Sequence, residues 1–317
     1  MDITVKFVDF WPTFDRHNNK FLNALRCRHN VKVLDDSSSE TPDILFYSRC
    51  GCGAFLKYDC LKIYYTGEND VPDFNECDYS ISFYDFSFNG RNLRYPLYLL
   101  YEYDRIDSPL KISDKEAVSR GFCSVVMRNA ENCDPKRLEV IDEVEDYKPL
   151  AYGGPYRNNV GGPVDDKIEF ISKYKFNLAL ENSIVDGYVT EKILEPMVAS
   201  TVPVYWGSAK AKADFNPAAF IDVNDFPTRV ARVERLKEID SDDSRYLEML
   251  RAPKLLNAPD FDSQLVEFLD RIVTQRKRHV VTYGEMSTLH HRKQLLMPLY
   301  RTVWSRRAAK ALSSLFK

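Results

Sequence analysis

Tyr174 to Gly207, YKFNLALENSIVDGYVTEKILEPMVASTVPVYWG, is the stretch from which the fold of this chain is read. The apolar run Phe176 to Leu180 predicts a buried strand, and Glu181 and Asn182 follow at its carboxyl end, where ligands of open α/β sheets bind. Gly187 marks a turn. Thr190 is placed to cap a helix, which puts Glu191 and Lys192 in the first turn, near unpaired N–H groups and the positive end of the helix dipole. That arrangement suits a diphosphate. Pro196, six residues after the cap, deletes one helical hydrogen bond and should kink or shorten this helix. Thr201 to Tyr205 then returns as a short β-branched strand and closes a βαβ-like unit.

Outward from this unit the same alternation continues. Ile3 to Val8, Val31 to Leu34, Ile44 to Tyr47, Lys62 to Tyr65 and Tyr79 to Phe83 are predicted strands, with a helix around Lys20 to Arg26. The charged stretch Asp104 to Glu116 has turn character and is placed as the linker. Beyond it, Cys123 to Met127 is a predicted strand, Arg137 to Glu145 a helix and Ile168 to Lys173 a shorter one, with Thr228 to Leu236 and Tyr246 to Leu250 as flanking helices. The expected organisation is an α/β chain of two Rossmann-like domains, 1–118 and 119–285, and a basic tail, 286–317. The loop Tyr152 to Gly162, YGGPYRNNVGG, either brings its backbone close to a phosphate or sugar or simply connects two elements.

Composition fits two globular domains: 317 residues, 44% hydrophobic and 13% aromatic. The net charge of −3 conceals an asymmetry. From Arg271 to Lys317 there are eleven Lys or Arg and one acid, Glu285, which leaves about −13 on the rest. In the tail, Tyr300, Trp304, Ala308, Ala311, Leu312 and Leu315 share one helical face, with Arg306, Lys310 and Lys317 roughly opposite. Such a helix predicts peripheral contact with an anionic membrane surface, or docking on the protein's own body. No signal peptide or spanning helix is recognisable, and seven cysteines suit reduced thiols, so a cytoplasmic location is expected. Cys50, Cys52, Cys60 and Cys77 lack the paired spacing of a zinc site. Asp240 to Asp243 are expected to be solvated acids flanking a helix. The phosphate-loop, GxGxxG, GxSxG and HExxH motifs are absent, which removes the commonest hydrolase, dehydrogenase, esterase and zinc-protease readings. Nucleic-acid binding is not expected, because no recognised module accompanies the basic tail.

A longer set of motifs strongly resembles the bacterial α-1,3-fucosyltransferases. It comprises YTGEN at Tyr65 to Asn69, Phe74 to Tyr79, LRYPLY at Leu93 to Tyr98, YGGPYRNNVG at Tyr152 to Gly161, YKFNLALEN with GYVTEKI, and PVYWGSAKAKADFNP ending at Pro217. The resemblance covers roughly residues 60 to 255 and implies the GT-B fold, two Rossmann-like domains facing across a cleft with the donor held by the second. It further implies that Lys192 and Arg137 bind the donor diphosphate, that Asn182, Tyr188 and Glu191 line the nucleotide-sugar pocket, and that Glu68 is the general base. Two fixed cations can stabilise the charge that grows on the departing phosphate. No metal is then obligatory, although a divalent ion could stimulate. On spacing alone Glu191 could equally serve the helix dipole, and Glu68 could be an ordinary loop acid.

The expected activity is inverting transfer of L-fucose from GDP-fucose to a hydroxyl of an oligosaccharide or glycolipid acceptor, foremost O3 of N-acetylglucosamine in a lactosamine-type unit. The alternatives are a related transferase with another GDP-sugar or linkage, and an idle glycan-binding protein.

Overall fold

The computed structural model describes residues 1–280, apart from residues 52, 109–111, 129, 132 and 257–258. The expected basic tail lies outside the described residues. The chain divides into two compact units, one formed by Met1–Tyr95 together with the residues from Asp260 on, the other by Pro96–Pro259.

In the first unit six strands form one parallel sheet: β1 (Asp2–Val8), β2 (Asn30–Val33), β3 (Ile44–Tyr47), β4 (Leu61–Tyr65), β5 (Tyr79–Ser82) and β6 (Asn92–Arg94). Their order is β2-β1-β3-β4-β5-β6. β3 and β4 are buried along their whole length, as strands covered on both faces must be, which is why they are apolar in sequence apart from Lys62. Helix α1 (Lys20–Arg26) links β1 to β2 and is capped by the Asn19 side chain, which accepts from the N–H of Leu22. β6 is only three residues long and was not expected from the sequence.

The second unit has a five-stranded parallel sheet: β7 (Gly121–Val125), β8 (Ala151–Tyr152), β9 (Tyr174–Leu180), β10 (Val202–Trp206) and β11 (Ile221–Asp222), in the order β11-β10-β9-β7-β8. The helices are α2 (Asp114–Val118), α3 (Pro135–Glu145), α4 (Lys167–Ile171), α5 (Glu191–Val198), α6 (Ala211–Asp214), α7 (Arg229–Ser241) and α8 (Asp243–Arg251). The predicted β9-α5-β10 crossover is present, with Phe176 opposite Val202 and Leu180 opposite Trp206. Asn177, buried within β9, donates to the carbonyl of Ser124 at 3.1 Å and to its hydroxyl at 2.9 Å. Counted from their own first strands, the sheets share the order 2-1-3-4-5, which reverses between β1 and β3 in one unit and between β7 and β9 in the other. The carboxyl ends at such reversals are where open sheets bind ligands.

Helix α9 (Phe261–Gln275) corrects the expected boundaries. Rather than extending a domain that runs from 119 to 285, the chain returns to the first unit at Asp260. Phe261, Leu265, Phe268, Leu269, Ile272 and Val273 form a buried stripe at helical spacing, and α9 packs against α1. Polar contacts fix it: the Tyr95 hydroxyl donates to Asp262 at 2.9 Å and Arg28 to Asp270 at 2.7 Å. At the other boundary the division falls at Tyr95 and Pro96, ahead of the expected linker. A second correction concerns Asp240. It is buried, not solvated, and neutralises the buried Lys175 ammonium at 3.2 Å while also pairing with Lys148.

Candidate active site

The carboxyl end of β9 carries a buried acid. Glu181 is fully inaccessible to solvent, and its carboxylate accepts from the backbone N–H of Thr190 at 2.8 Å and from the Thr190 hydroxyl at 2.8 and 3.0 Å. Lys192 completes the cluster, with its ammonium 3.2 Å from Glu181 and donating to the Thr190 hydroxyl at 3.0 Å. Thr190 thus stands at the expected capping position, but its side chain makes no capping bond and serves the Glu181–Lys192 pair instead. Gly207 makes room for this: a Cβ there would come within 2.3 Å of the Tyr205 hydroxyl and 2.6 Å of the Glu181 Cγ.

A second cation enters from α3. Asp134 caps this helix by accepting from the N–H of Lys136, and Arg137 follows in the first turn. Its guanidinium donates to the Asn182 side-chain carbonyl at 2.9 Å, while the Asn182 backbone carbonyl accepts from the N–H of Asp134 at 2.8 Å. Asn182 therefore braces the start of α3 with both its side chain and its backbone. Arg137 is buried, and its Nε has no hydrogen-bond partner. An unpaired buried donor on a cation is costly.

Electrostatics couple these groups. Burial pulls Lys192 toward its neutral form, but the carboxylates of Glu181 and Glu191 outweigh it and raise its pKa above the ordinary lysine value. Burial pushes Glu181 up, against the pull of Lys192. For Glu191 burial acts in the same upward sense, yet Lys192 and Lys167 overcome it and the carboxyl is held below its usual value. Burial lowers Arg137, against the charges of Cys133 and Glu181. Tyr188, also buried, lies near enough to bear on both cations.

Five of the six residues singled out from the sequence, Arg137, Asn182, Tyr188, Glu191 and Lys192, thus gather at the β7/β9 reversal of the second unit. Glu68 belongs to the first unit. It is exposed on the turn that follows β4, where its N–H donates to the Thr66 hydroxyl at 3.1 Å and its carbonyl accepts from the N–H of Asp70 at 2.7 Å. Sequence reasoning passed over Glu181 and Thr190 as parts of the lysine's support. The signal was present as an acid ending a buried strand, nine residues before a threonine.

The glycine-rich loop after β8 is tied to its own surroundings. The Asn158 amide donates to the carbonyls of Tyr152, Gly154 and Gly162 at 2.9–3.0 Å. A Cβ on Gly154 would lie 2.3 Å from the Met127 carbonyl oxygen, so this glycine serves backbone packing. Among the cysteines, Cys60 and Cys77 are buried beside Tyr47, Phe55 and Tyr64, and among the described residues no group of three or more His, Cys, Asp or Glu is placed to hold a metal ion.

Comparison with known proteins gives a consistent picture. Residues 5–101 match the Alpha-(1,3)-fucosyltransferase FucT N-terminal domain, and residues 117–278 match Glycosyltransferase family 10 (fucosyltransferase) C-term. The chain is 34% identical over 271 residues to Alpha-(1,3)-fucosyltransferase FucT of Helicobacter pylori, covering 73% of this chain and 55% of that protein. It is 36% identical over 109 residues to Alpha-(1,3)-fucosyltransferase B of Drosophila melanogaster, covering 34% of this chain and 24% of that one. The chain therefore spans about half the length of the first of these curated relatives and less of the second. A crystal structure of an α1,3-fucosyltransferase with GDP-fucose superposes with a TM-score of 0.75 at 27% identity, over 88% of this chain and 93% of that one. A GDP-bound α1,3-fucosyltransferase crystal structure gives 0.72 at 28% identity, over 86% and 90%. The fold class expected from the sequence, GT-B, is the class of this chain.

Proposed function

We propose that this chain, which belongs to glycosyltransferase family 10 (fucosyltransferase), moves L-fucose from GDP-fucose to a hydroxyl of an acceptor glycan, with inversion at the anomeric carbon. The observation that carries this reading is the pair of fixed cations at the reversal of the second sheet, Lys192 held by Glu181 and Thr190, and Arg137 held by Asn182. As the bond from fucose C1 to the diphosphate breaks, negative charge grows on the β-phosphate. Cations already in place, in a site with little water, stabilise that charge without reorganising. Arg137 offers its fork of donors to phosphate oxygens, its Nε among them, and Lys192 acts as a point charge. Glu191 is ionised and can accept two hydroxyls of the sugar at once. Asn182 and Tyr188 line the same donor pocket.

Glu68 takes the proton from the attacking hydroxyl. A carboxylate performs this step on the face of the sugar opposite the leaving group, so one displacement inverts the anomeric centre and no covalent sugar intermediate is needed, as in inverting glycosidases. Because Arg137 and Lys192 supply the positive charge, a divalent metal is at most stimulatory. The acceptor position is O3 of N-acetylglucosamine in a lactosamine-type unit of a cell-surface polysaccharide or glycolipid.

Incubation with GDP-fucose and a small panel of acceptors, read by product mass and linkage, tests the whole reading. An α-1,3-fucosylated product that still forms in the presence of a chelator is expected. Transfer of another sugar from its GDP donor, or GDP binding without any transfer, would sink it.

A further inference from the structure

In the first unit the strand order reverses between β1 and β3, so any ligand of that sheet should meet the loops that follow these two strands. The loops are stitched together. The N–H of Cys50 donates to the Asp9 carbonyl at 3.0 Å, and the N–H of Phe55 donates to the Asp9 carboxylate at 3.0 Å. What the β1 loop presents there is aromatic: Phe10, Trp11 and Phe14 are each only half-buried. Phe10 stacks on Phe14 with ring centres 4.0 Å apart, and Trp11 meets Phe14 edge-on at 5.1 Å. The Trp11 ring also lies 6.3 Å from Tyr65, the last residue of β4 and three residues before Glu68.

Polar groups stand at the same end of β4 but on the side of Tyr64, which packs with Tyr47 and Phe55 on the face opposite Tyr65. The Asp70 carboxylate accepts from the Tyr64 hydroxyl at 2.6 Å and lies 3.9 Å from the Arg49 guanidinium. Asp70 is also bound to the Glu68 turn, since its N–H donates to the Glu68 carbonyl at 2.7 Å. A half-exposed indole backed by a second ring matches the apolar C–H face of a pyranose.

We propose that Trp11, backed by Phe14 and next to the strand end that leads into the Glu68 turn, is the platform on which the acceptor sugar stacks. This rests on the transfer reading above and assigns its acceptor subsite. Trp11 here is a positioning residue: it fixes the acceptor and takes no part in bond making.

The test is steady-state transfer by Trp11→Leu and Trp11→Phe, with acceptor varied at saturating GDP-fucose and then the reverse. Trp11→Leu is expected to raise the acceptor KM by about tenfold, equivalent to roughly 1.4 kcal/mol of lost ring contact, with donor KM and GDP affinity unchanged. Trp11→Phe keeps a ring and should stay within about threefold. An acceptor KM for Trp11→Leu within about twofold of the unchanged enzyme, or an equal change for donor and acceptor, overturns the proposal. Should the leucine variant fail to fold, tryptophan fluorescence decides: acceptor must perturb the emission of the unchanged protein, and that response must vanish in Trp11→Phe. A response that persists in Trp11→Phe, or none at all, overturns the proposal equally. If the unchanged enzyme transfers no fucose to any acceptor, the transfer reading itself fails and this subsite fails with it.

Discussion

Glu181→Gln tests most directly how the second unit holds its lysine. The side chain is wholly buried and accepts from the Thr190 N–H and hydroxyl, both at 2.8 Å, with the Lys192 ammonium at 3.2 Å. Glutamine keeps the shape but removes the charge, and its amide must turn a donor toward groups that are themselves donors. Removing one member of a buried ion pair costs about 3–5 kcal/mol. Glu191, 3.5 Å from the same ammonium, remains as a second counter-charge and brings the expected loss to roughly 2–4 kcal/mol. In a unit of this size that is a fall in Tm of roughly 5–12 °C, measurable by calorimetry or circular dichroism. With Lys192 no longer oriented, GDP affinity by titration calorimetry should drop by about tenfold or more. An unchanged Tm with GDP affinity within about twofold would refute the reasoning. So would tighter GDP binding, because it would mean that Glu181 competes with the diphosphate for Lys192 rather than holding it in place.

Four further outcomes are expected. Glu68→Gln should keep GDP binding and lose transfer by about a hundredfold or more, and near-normal turnover would remove Glu68 from the role of base. Gly154→Ala should destabilise the protein by about 1–3 kcal/mol in thermal unfolding, because the new Cβ meets the Met127 backbone rather than a movable side chain. Lys254 is buried, donates to the Leu250 carbonyl at 2.6 Å, and is lowered by burial from 10.5 to about 8. Its charge therefore penalises the folded state fully below about pH 8, and the penalty fades toward pH 10.5, so Lys254→Met should add on the order of 2–3 kcal/mol at pH 7 and progressively less as pH rises. For the tail, co-sedimentation with anionic vesicles should be lost in a chain that ends at Tyr283; equal binding by both lengths would reject membrane contact.

How far the sequence could be read depended on whether a residue's partners lie near it in the chain. The β9-α5-β10 unit was legible because its strands, turn and helix start are contiguous, and Pro196 falls near the end of an eight-residue helix, as expected of a breaker. Arg137 could be placed at a helix start, though its bond to Asn182 spans 45 positions and left no local trace. Asp240 was misread for the same reason: its acidic neighbours suggested solvent, while its counter-charge, Lys175, comes from a strand far earlier in the chain. Glu181 looked like the polar end of a strand, because nothing local says that Thr190 and Lys192 fold back over it. The role of α9 was hidden too. Its apolar stripe is plain, but which sheet that stripe covers is decided by α1 and Tyr95, more than 160 residues away.

The return of α9 to the first unit also sets an order of manufacture. The second unit, Pro96–Pro259, is contiguous and can close as soon as its last residue has left the ribosome. The first unit cannot, because its sheet and α1 await a helix that begins at Phe261. Domains usually fold in the order they are made. Of these two units the one begun first is finished second, and while the other is being made its unfinished apolar face is what a chaperone would have to shield.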